Sequence, residues 1–183
     1  MIVETPRLIL RPWRDDDLDR YTELSRDPEV MANYPALLSR DECAAGIARQ
    51  RAHFARHGFG IWALELRTTG RFIGYTGIQH VPFDAPFTPA VEIGWRIARD
   101  TWGHGYATEA ARASVAYGFD TLGLAEVVAF TIPSNTRSLA VMERLGMERD
   151  PADDFDHPRL PDGAVSIAGH PVRRHVLYRL RRP

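Results

Sequence analysis

Apolar positions recur along the chain with two periods, and each change of period marks an element. Arg7-Leu8-Ile9-Leu10-Arg11 sets Leu8 and Leu10 on one side with charges beyond them, the period-2 pattern of a half-buried strand that Pro12 ends. From Asp15 to Leu24 an acidic first turn precedes Leu18, Tyr21 and Leu24 at helical spacing, so Asp15-Asp16-Asp17 reads as a helix N-terminus. Ser39-Arg40-Asp41-Glu42 is a capping box, opening a helix that carries Cys43, Ile47 and Phe54 and stops at His57-Gly58. Gly60 to Leu66 and Phe72 to Val81 are β-rich runs separated by Thr68-Thr69-Gly70, which predicts an antiparallel hairpin. Ala90 to Ala98 adds a third strand, with Val91, Ile93, Trp95 and Ile97 on one face and Glu92, Gly94 and Arg96 on the other.

Beyond this meander, Ala107, Ala111, Val115, Phe119 and Leu122 return every three or four residues, predicting a long amphipathic helix capped by Gly123. Glu126 to Ile132 is a short buried strand. Asn135 caps a further helix with Leu139, Met142 and Leu145 inward, and Gly146 stops it. Asp150 to Pro171, rich in proline and aspartate, reads as a long loop, and Val172 to Leu180 as a final strand. The order predicts an α+β fold with a mixed sheet, in one domain over residues 1–183, without repeats or a linker.

Composition narrows the function. The 183 residues are 44% apolar and 26% charged, with a net charge of −1. Such a chain has no overall field to draw in a polyanion, so nucleic acid is excluded as a partner and an anionic ligand needs a local site. Cys43 is the lone cysteine, which forbids an intramolecular disulfide and fits a reducing compartment. Neither a signal peptide nor a window of ~18 apolar residues occurs, so the sequence predicts a cytoplasmic protein that does not use a membrane. His157, His170 and His175, with Asp153, Asp154 and Asp156, match no metal-ligand spacing, and no Gly-x-Ser-x-Gly elbow exists. No metal is expected. The sequence does not set oligomeric state, and a homodimer is compatible with it.

Trp102-Gly103-His104-Gly105-Tyr106-Ala107-Thr108 lies between a strand and a long helix. Small residues let backbone approach a ligand, and the free N–H groups of a helix start plus its dipole form an anion site, sized here for a diphosphate. A plain glycine-bearing turn satisfies the same string. A nucleotide P-loop needs Gly-Lys-Ser/Thr, and a dinucleotide fingerprint needs a small residue where Thr108 stands; neither is met.

Val91-Glu92-Ile93-Gly94-Trp95-Arg96-Ile97, Gly103 through Ala110, Asn135-Thr136-Arg137-Ser138 and Glu143-Arg144-Leu145-Gly146-Met147 together resemble successive blocks of the GNAT acetyltransferases. The RimJ/RimL-type branch is the nearest likeness, through Thr5 to Pro12 with Asp17 and through Phe72-Ile73-Gly74 as well. The resemblance implies a mostly antiparallel central sheet flanked by helices, with splayed strands forming an acyl-CoA cleft. It implies acetyl-CoA as donor, an enzyme, and a primary amine as acceptor, on a protein N-terminus or a small molecule. Position by position, it assigns the pantetheine arm to Ile97, Ala98 and Arg99, and the pyrophosphate to the amides of Gly103, His104, Gly105, Tyr106, Ala107 and Thr108. Asn135 falls to the cofactor arm near the thioester. Trp102 stands where the loop usually carries a glutamine or arginine, so His104 and Arg99 are candidates for the missing charge.

An ammonium cannot attack a thioester until it loses a proton, so a base is needed. Glu92 matches the glutamate that serves in some relatives, and its other reading is a strand glutamate paired with an arginine. The tyrosine that often protonates the leaving thiolate matches Met142 here, which cannot donate. Ser138, one turn into the helix, matches a serine given this role in the RimL type; its other reading is a first-turn serine bonded to backbone. A different acyl group such as succinyl, or a non-catalytic acyl-CoA-binding module, are the alternatives.

Overall fold

A computed structural model describes residues 2–183. Along the chain run β1 (Val3–Glu4), β2 (Leu8–Arg11), α1 (Asp17–Arg26), α2 (Arg40–His57), β3 (Ile61–Leu66), β4 (Phe72–His80) and β5 (Val91–Ile97). There follow α3 (Tyr106–Asp120), β6 (Glu126–Thr131), α4 (Thr136–Arg144), β7 (Glu148–Arg149), β8 (Phe155–Asp156) and β9 (Arg174–Arg181). The sheet order is β1-β2-β3-β4-β5-β6-β9-β7, with β8 paired to β9. Every pairing is antiparallel except β5 with β6.

Local chemistry sets most boundaries. The capping box of α2 is complete, Ser39 accepting from the Glu42 amide and Glu42 accepting from that of Ser39, and Gly58 ends the helix at φ 77°. Helix α3 stops at Asp120, short of the expected glycine stop at Gly123. The expected loop after Asp150 contains β8, a two-residue strand with too few positions to show a period.

Core residues divide between the two faces of the sheet by strand alternation. Trp62, Leu64, Ile93 and Ile97 join Ala110, Ala111, Val115 and Phe119 of α3 on one face. Ile61, Ala63 and Phe72 join Trp13, Tyr21, Cys43 and Ile47 on the other. Because β3 is buried on both faces, its run Ile-Trp-Ala-Leu is continuously apolar. Strands β4 and β5 approach so closely that a Cβ on Gly74, whose φ is 137°, would lie 2.1 Å from the Arg96 carbonyl oxygen.

One charge lies inside this framework. Arg11, expected to point outward, is 3% exposed. Its Nη1 and Nη2 donate to both carboxylate oxygens of Asp17, at 2.8 and 2.7 Å, and its Nε donates to Glu65 at 2.6 Å. Burial alone would lower the Arg11 pKa, but the hydrogen bonds and charges of Asp17 and Glu65 overcome it and leave it raised. Asp17 thereby ties α1 to β2 and β3 instead of only opening a helix. Arg11→Met should cost about 3–5 kcal/mol, because it leaves the buried Asp17 carboxylate without a cation and Glu65 with only Arg14 at 3.2 Å. Urea unfolding of the variant checks this, and a midpoint equal to the parent's would make the network ornamental.

Candidate active site

The parallel pair β5 and β6 is in register only at Glu92 with Val128. Ala98 N–H donates to Ile73 O in β4, and antiparallel ladders alternate, so Arg96 and Gly94 also bond toward β4. Trp95 and Ile97 therefore turn their backbone groups toward the β6 side, where the partner strand has diverged. Of these groups the Ile97 carbonyl accepts from the Trp102 indole at 2.9 Å. A cleft of about 1250 Å³ opens here, walled by Trp95, Ile97, Gly103 through Thr108, Asn135 and Ser138. Ile97 thus faces the cleft, whereas Ala98 and Arg99 are not in its wall. The Ala98 carbonyl accepts from Thr101, and Arg99 pairs with Asp27 at 3.0 Å.

At the far end lies the glycine loop. Gly103 and Gly105 hold φ values of 80° and 77°, which L side chains rarely adopt. Gly105 is also the N-cap of α3, and the first amide of that helix to reach a backbone acceptor is Glu109, donating to Gly105 at 3.0 Å. Among the described residues the amides of Gly103 through Thr108 have no partner in the chain. Unpartnered N–H groups in a glycine turn and in the first turn of a helix are of the kind that can accept an anion. The loop is clamped from outside. Glu109 accepts from the Thr5 hydroxyl at 2.6 Å and the Arg7 amide at 3.0 Å, and Arg7 also reaches the His104 carbonyl at 2.9 Å. Burial alone would raise the Glu109 pKa, but these donors and the Arg7 charge lower it.

The charge missing at Trp102 comes from an unforeseen direction. Arg137, in the first turn of α4, lays its guanidinium 3.9 Å over the Trp102 ring, and Arg112 and Arg144 also line the cleft. Arg99 takes no part, and His104 stacks on Tyr106 at 5.5 Å. A sequence signal existed in the i, i+7 spacing of Arg137 and Arg144, which puts both on one helix face. That face could be assigned to the cleft only once α4 was docked.

Asn135 caps α4, accepting from the Ser138 amide at 3.3 Å, and its side-chain NH2 donates to Thr131 Oγ1 at 2.9 Å and to Ser138 Oγ at 3.1 Å. Asn135 is therefore committed to holding Ser138. With its oxygen accepting from Asn135, Ser138 has its own proton free to donate, facing the cleft. Met142 is buried and offers no proton.

A second pocket of about 500 Å³ lies on the opposite face of the sheet. Glu92, Gln79, Tyr75 and His175 line it, and it shares Asn33, Tyr34, Trp95, Arg96, Asn135 and Ser138 with the cleft. The two spaces meet where β5 and β6 part. Glu92 pairs with no arginine; it accepts from Gln79 Nε2 at 2.6 Å. Protein surrounds the carboxyl except toward the pocket, and this burial raises its pKa from 4.5 to about 7, against the lowering effect of the Gln79 hydrogen bond. Burial lowers the pKa of His157, and of His175 to about 4, so both rings are neutral at pH 7.

The two long connections near this pocket contribute differently. Leu160 and His157, from the segment after Asp150, line the pocket. Phe83 and Phe87 instead pack with Phe130 and Phe155 in a separate apolar cluster, and Trp62 is core. Four of the aspartates of that segment are paired, Asp153 with Arg179, Asp154 with Arg149, Asp156 with Arg174 and Asp162 with Arg173.

A family model described as an acetyltransferase (GNAT) domain matches residues 7–148. The chain is 35% identical to YkkB of Bacillus subtilis over 144 residues, 78% of this chain and 83% of the relative. It is 33% identical over 201 residues to FsC-acetyl coenzyme A-N(2)-transacetylase of Aspergillus fumigatus, covering 99% and 80% of the two chains. The crystal structure of an acetyltransferase from Agrobacterium tumefaciens superposes with a TM-score of 0.79 at 28% identity, covering 100% of this chain and 95% of that one. RimJ of Mycobacterium smegmatis shares the fold, with a TM-score of 0.73 at 24% identity over 95% of this chain and 81% of that one.

The raised Glu92 pKa has a stability consequence independent of any reaction. Between pH ~4.5 and ~7 the unfolded chain has lost the proton that the folded one keeps, so folding stability falls as pH rises through that window and levels off above it. Glu92→Gln removes this loss. Its stability relative to the parent should rise by about 3 kcal/mol from pH 4 to pH 8 in urea unfolding. A difference that does not change with pH would place Glu92 in water.

Proposed function

Because this chain belongs to the GNAT acetyltransferase family, we propose that it moves an acetyl group from acetyl-CoA to a primary amine by direct attack in a ternary complex, as one catalytic domain. The observation that carries this reading is the meeting of the two pockets at Trp95, Arg96, Asn135 and Ser138, with an anion-binding loop at the end of one and a poised carboxyl in the other. The Aspergillus relative, whose name couples acetyl coenzyme A with N(2)-transacetylation, supports the same donor.

The unpartnered amides of Gly103 through Thr108 fit a diphosphate, with Arg137, Arg112 and Arg144 adding charge, and the free backbone groups of Trp95 and Ile97 fit an amide-bearing arm. Glu92 accepts a proton from the acceptor ammonium, directly or through water. The freed nitrogen pair forms a bond to the thioester carbon, whose carbonyl electrons move to oxygen, where the Ile97 N–H is a candidate donor. As the oxyanion collapses the C–S bond breaks, Ser138 gives its proton to the departing thiolate, the nitrogen's second proton passes through water to restore the Ser138 hydroxyl, and Glu92 releases the first proton to solvent. A pKa near 7 suits Glu92 to this role, since a base must be ionised at working pH yet basic enough to take a proton.

Among the described residues no helix is long and apolar enough to cross a membrane, and no cluster of three or more His, Cys, Asp or Glu is placed to hold a metal. We read the protein as cytoplasmic, a placement that suits its one unpaired cysteine, Cys43.

Calorimetry tests the donor site. Acetyl-CoA should bind and acetyl-pantetheine, which lacks the diphosphate, should bind at least tenfold more weakly; equal affinities would remove the loop from the site. Glu92→Gln should lower kcat about 10²-fold with little change in acetyl-CoA affinity, and the parent's kcat should rise with pH through about 7. Unchanged turnover at all pH values would take Glu92 out of the mechanism. Ser138→Ala should lower kcat without weakening acetyl-CoA binding, and an intact rate would mean the thiolate leaves unaided.

A further inference from the structure

Arg11 and Arg96 both set their guanidinium groups largely among protein atoms, and the fold treats the two differently. Arg11 faces two carboxylates within 2.8 Å. Arg96 has none: among the described residues it enters no ion pair, and its Nε and Nη1 are covered without a hydrogen-bond partner. Its guanidinium carbon lies 4.1 Å from the Tyr34 ring centroid and 5.4 Å from that of Tyr75. Cation–π contacts of this kind return less than it costs to strip an ion of water. The fold thus retains a cation whose counter-charge the chain does not supply.

From this geometry we infer that the acceptor is a small amine that also carries an anionic group, a carboxylate or a phosphate, and that Arg96 is its counter-ion. The inference rests on the transfer reaction proposed above. Arg96 lines both the cleft and the second pocket, so it stands at their junction, where the amine has to meet the acetyl group. The anionic group therefore sits within a few ångströms of the reacting nitrogen, as in an α- or β-amino acid.

The remaining walls agree. Glu92, Gly94 and Arg96 share one face of β5, and a Cβ on Gly94 would meet nothing within 4 Å, so the floor between the two charged side chains is open. The facing histidines, His157 and His175, are neutral, Gln50 and Gln79 bond to each other and, through Gln79, to Glu92 without adding charge, and the one other cation in the wall, Arg49, is an exposed residue of α2. A volume of about 500 Å³ lies within the usual span for small-molecule sites, about 300–1,000 Å³. A purely cationic amine would enter against the unpaired charge of Arg96, whereas a zwitterion satisfies both ends.

The test uses glycine, β-alanine and γ-aminobutyrate, each beside its carboxamide, and 2-aminoethyl phosphate beside ethanolamine. Thiol release is followed with acetyl-CoA, and equilibrium binding of the same compounds is measured by saturation-transfer NMR with and without CoA. The parent should favour at least one anionic compound over its neutral match by tenfold or more in kcat/KM or in affinity, and which pair responds separates carboxylate from phosphate. In Arg96→Met that preference should fall to about one, and Arg96→Lys should restore part of it. Circular dichroism shows whether Arg96→Met is folded, and loss of an uncompensated buried charge gives no reason for it to unfold. Two results would overturn the inference: no anionic compound preferred by the parent in either measurement, or a preference that survives intact in folded Arg96→Met. Acetylation of neutral amines at equal rates would sink the inference while leaving the transferase reading in place. Failure to bind acetyl-CoA would sink that reading, and the binding comparison without CoA would still judge Arg96.

Discussion

Hydrogen-bond pairing between β5 and β6 begins at one position and then stops, and the working parts of the molecule depend on that divergence. A strand buried in a sheet normally satisfies both edges. Here one edge of β5 is fully used by β4, while the other meets β6 only at Glu92 with Val128. Buried backbone groups without partners are costly, so a gap of this kind persists where something else engages them. The Trp102 indole takes one, and the cleft exposes the others to a ligand.

The gap also joins the two faces of the sheet. On the α3 and α4 side, glycines at positive φ and a helix start collect free amides, and Arg7 and Glu109 brace the loop from the N-terminal strands. On the other side, Glu92 and Arg96 project from the same strand face into a pocket partly roofed by Tyr34. The Tyr34 carbonyl accepts from the Ile167 amide at 2.9 Å, which pins the long loop after Asp150 onto the segment after α1. Strand alternation thus assigns one face of β5 to core contact with α3 and the opposite face to the charged pocket.

Charge placement follows the same division between structure and chemistry. Arg11, Asp17 and Glu65 neutralise one another within the framework, and their contacts join three elements. Glu92 and Arg96 have no opposite charge beside them. Burial without a partner raises the carboxyl's pKa and leaves the guanidinium available to something outside the chain.

Most of the elements were legible in the sequence because their signals are local. The capping box at Ser39 and Glu42, the glycine stop at Gly58, the Thr68-Thr69-Gly70 turn and the alternation through Val91 to Ile97 each depend on residues a few positions apart. The glycine loop before α3 was equally plain, since positive φ and free helix-start amides are properties of a short segment. Long-range facts were not legible. That Arg11 is buried depends on Asp17 and Glu65 closing around it, that Arg99 turns to Asp27 depends on where α1 ends, and that Arg137 covers Trp102 depends on how α4 docks. The sequence by itself determined the order of the longer elements, the glycine loop before α3 and the side of β5 on which Glu92 stands, while the two-residue strands β1, β7 and β8 are too short to carry a period. Tertiary structure alone decided which arginines are compensated, because a charge partner is chosen by distance in space, and periodicity along the chain carries no information about that distance.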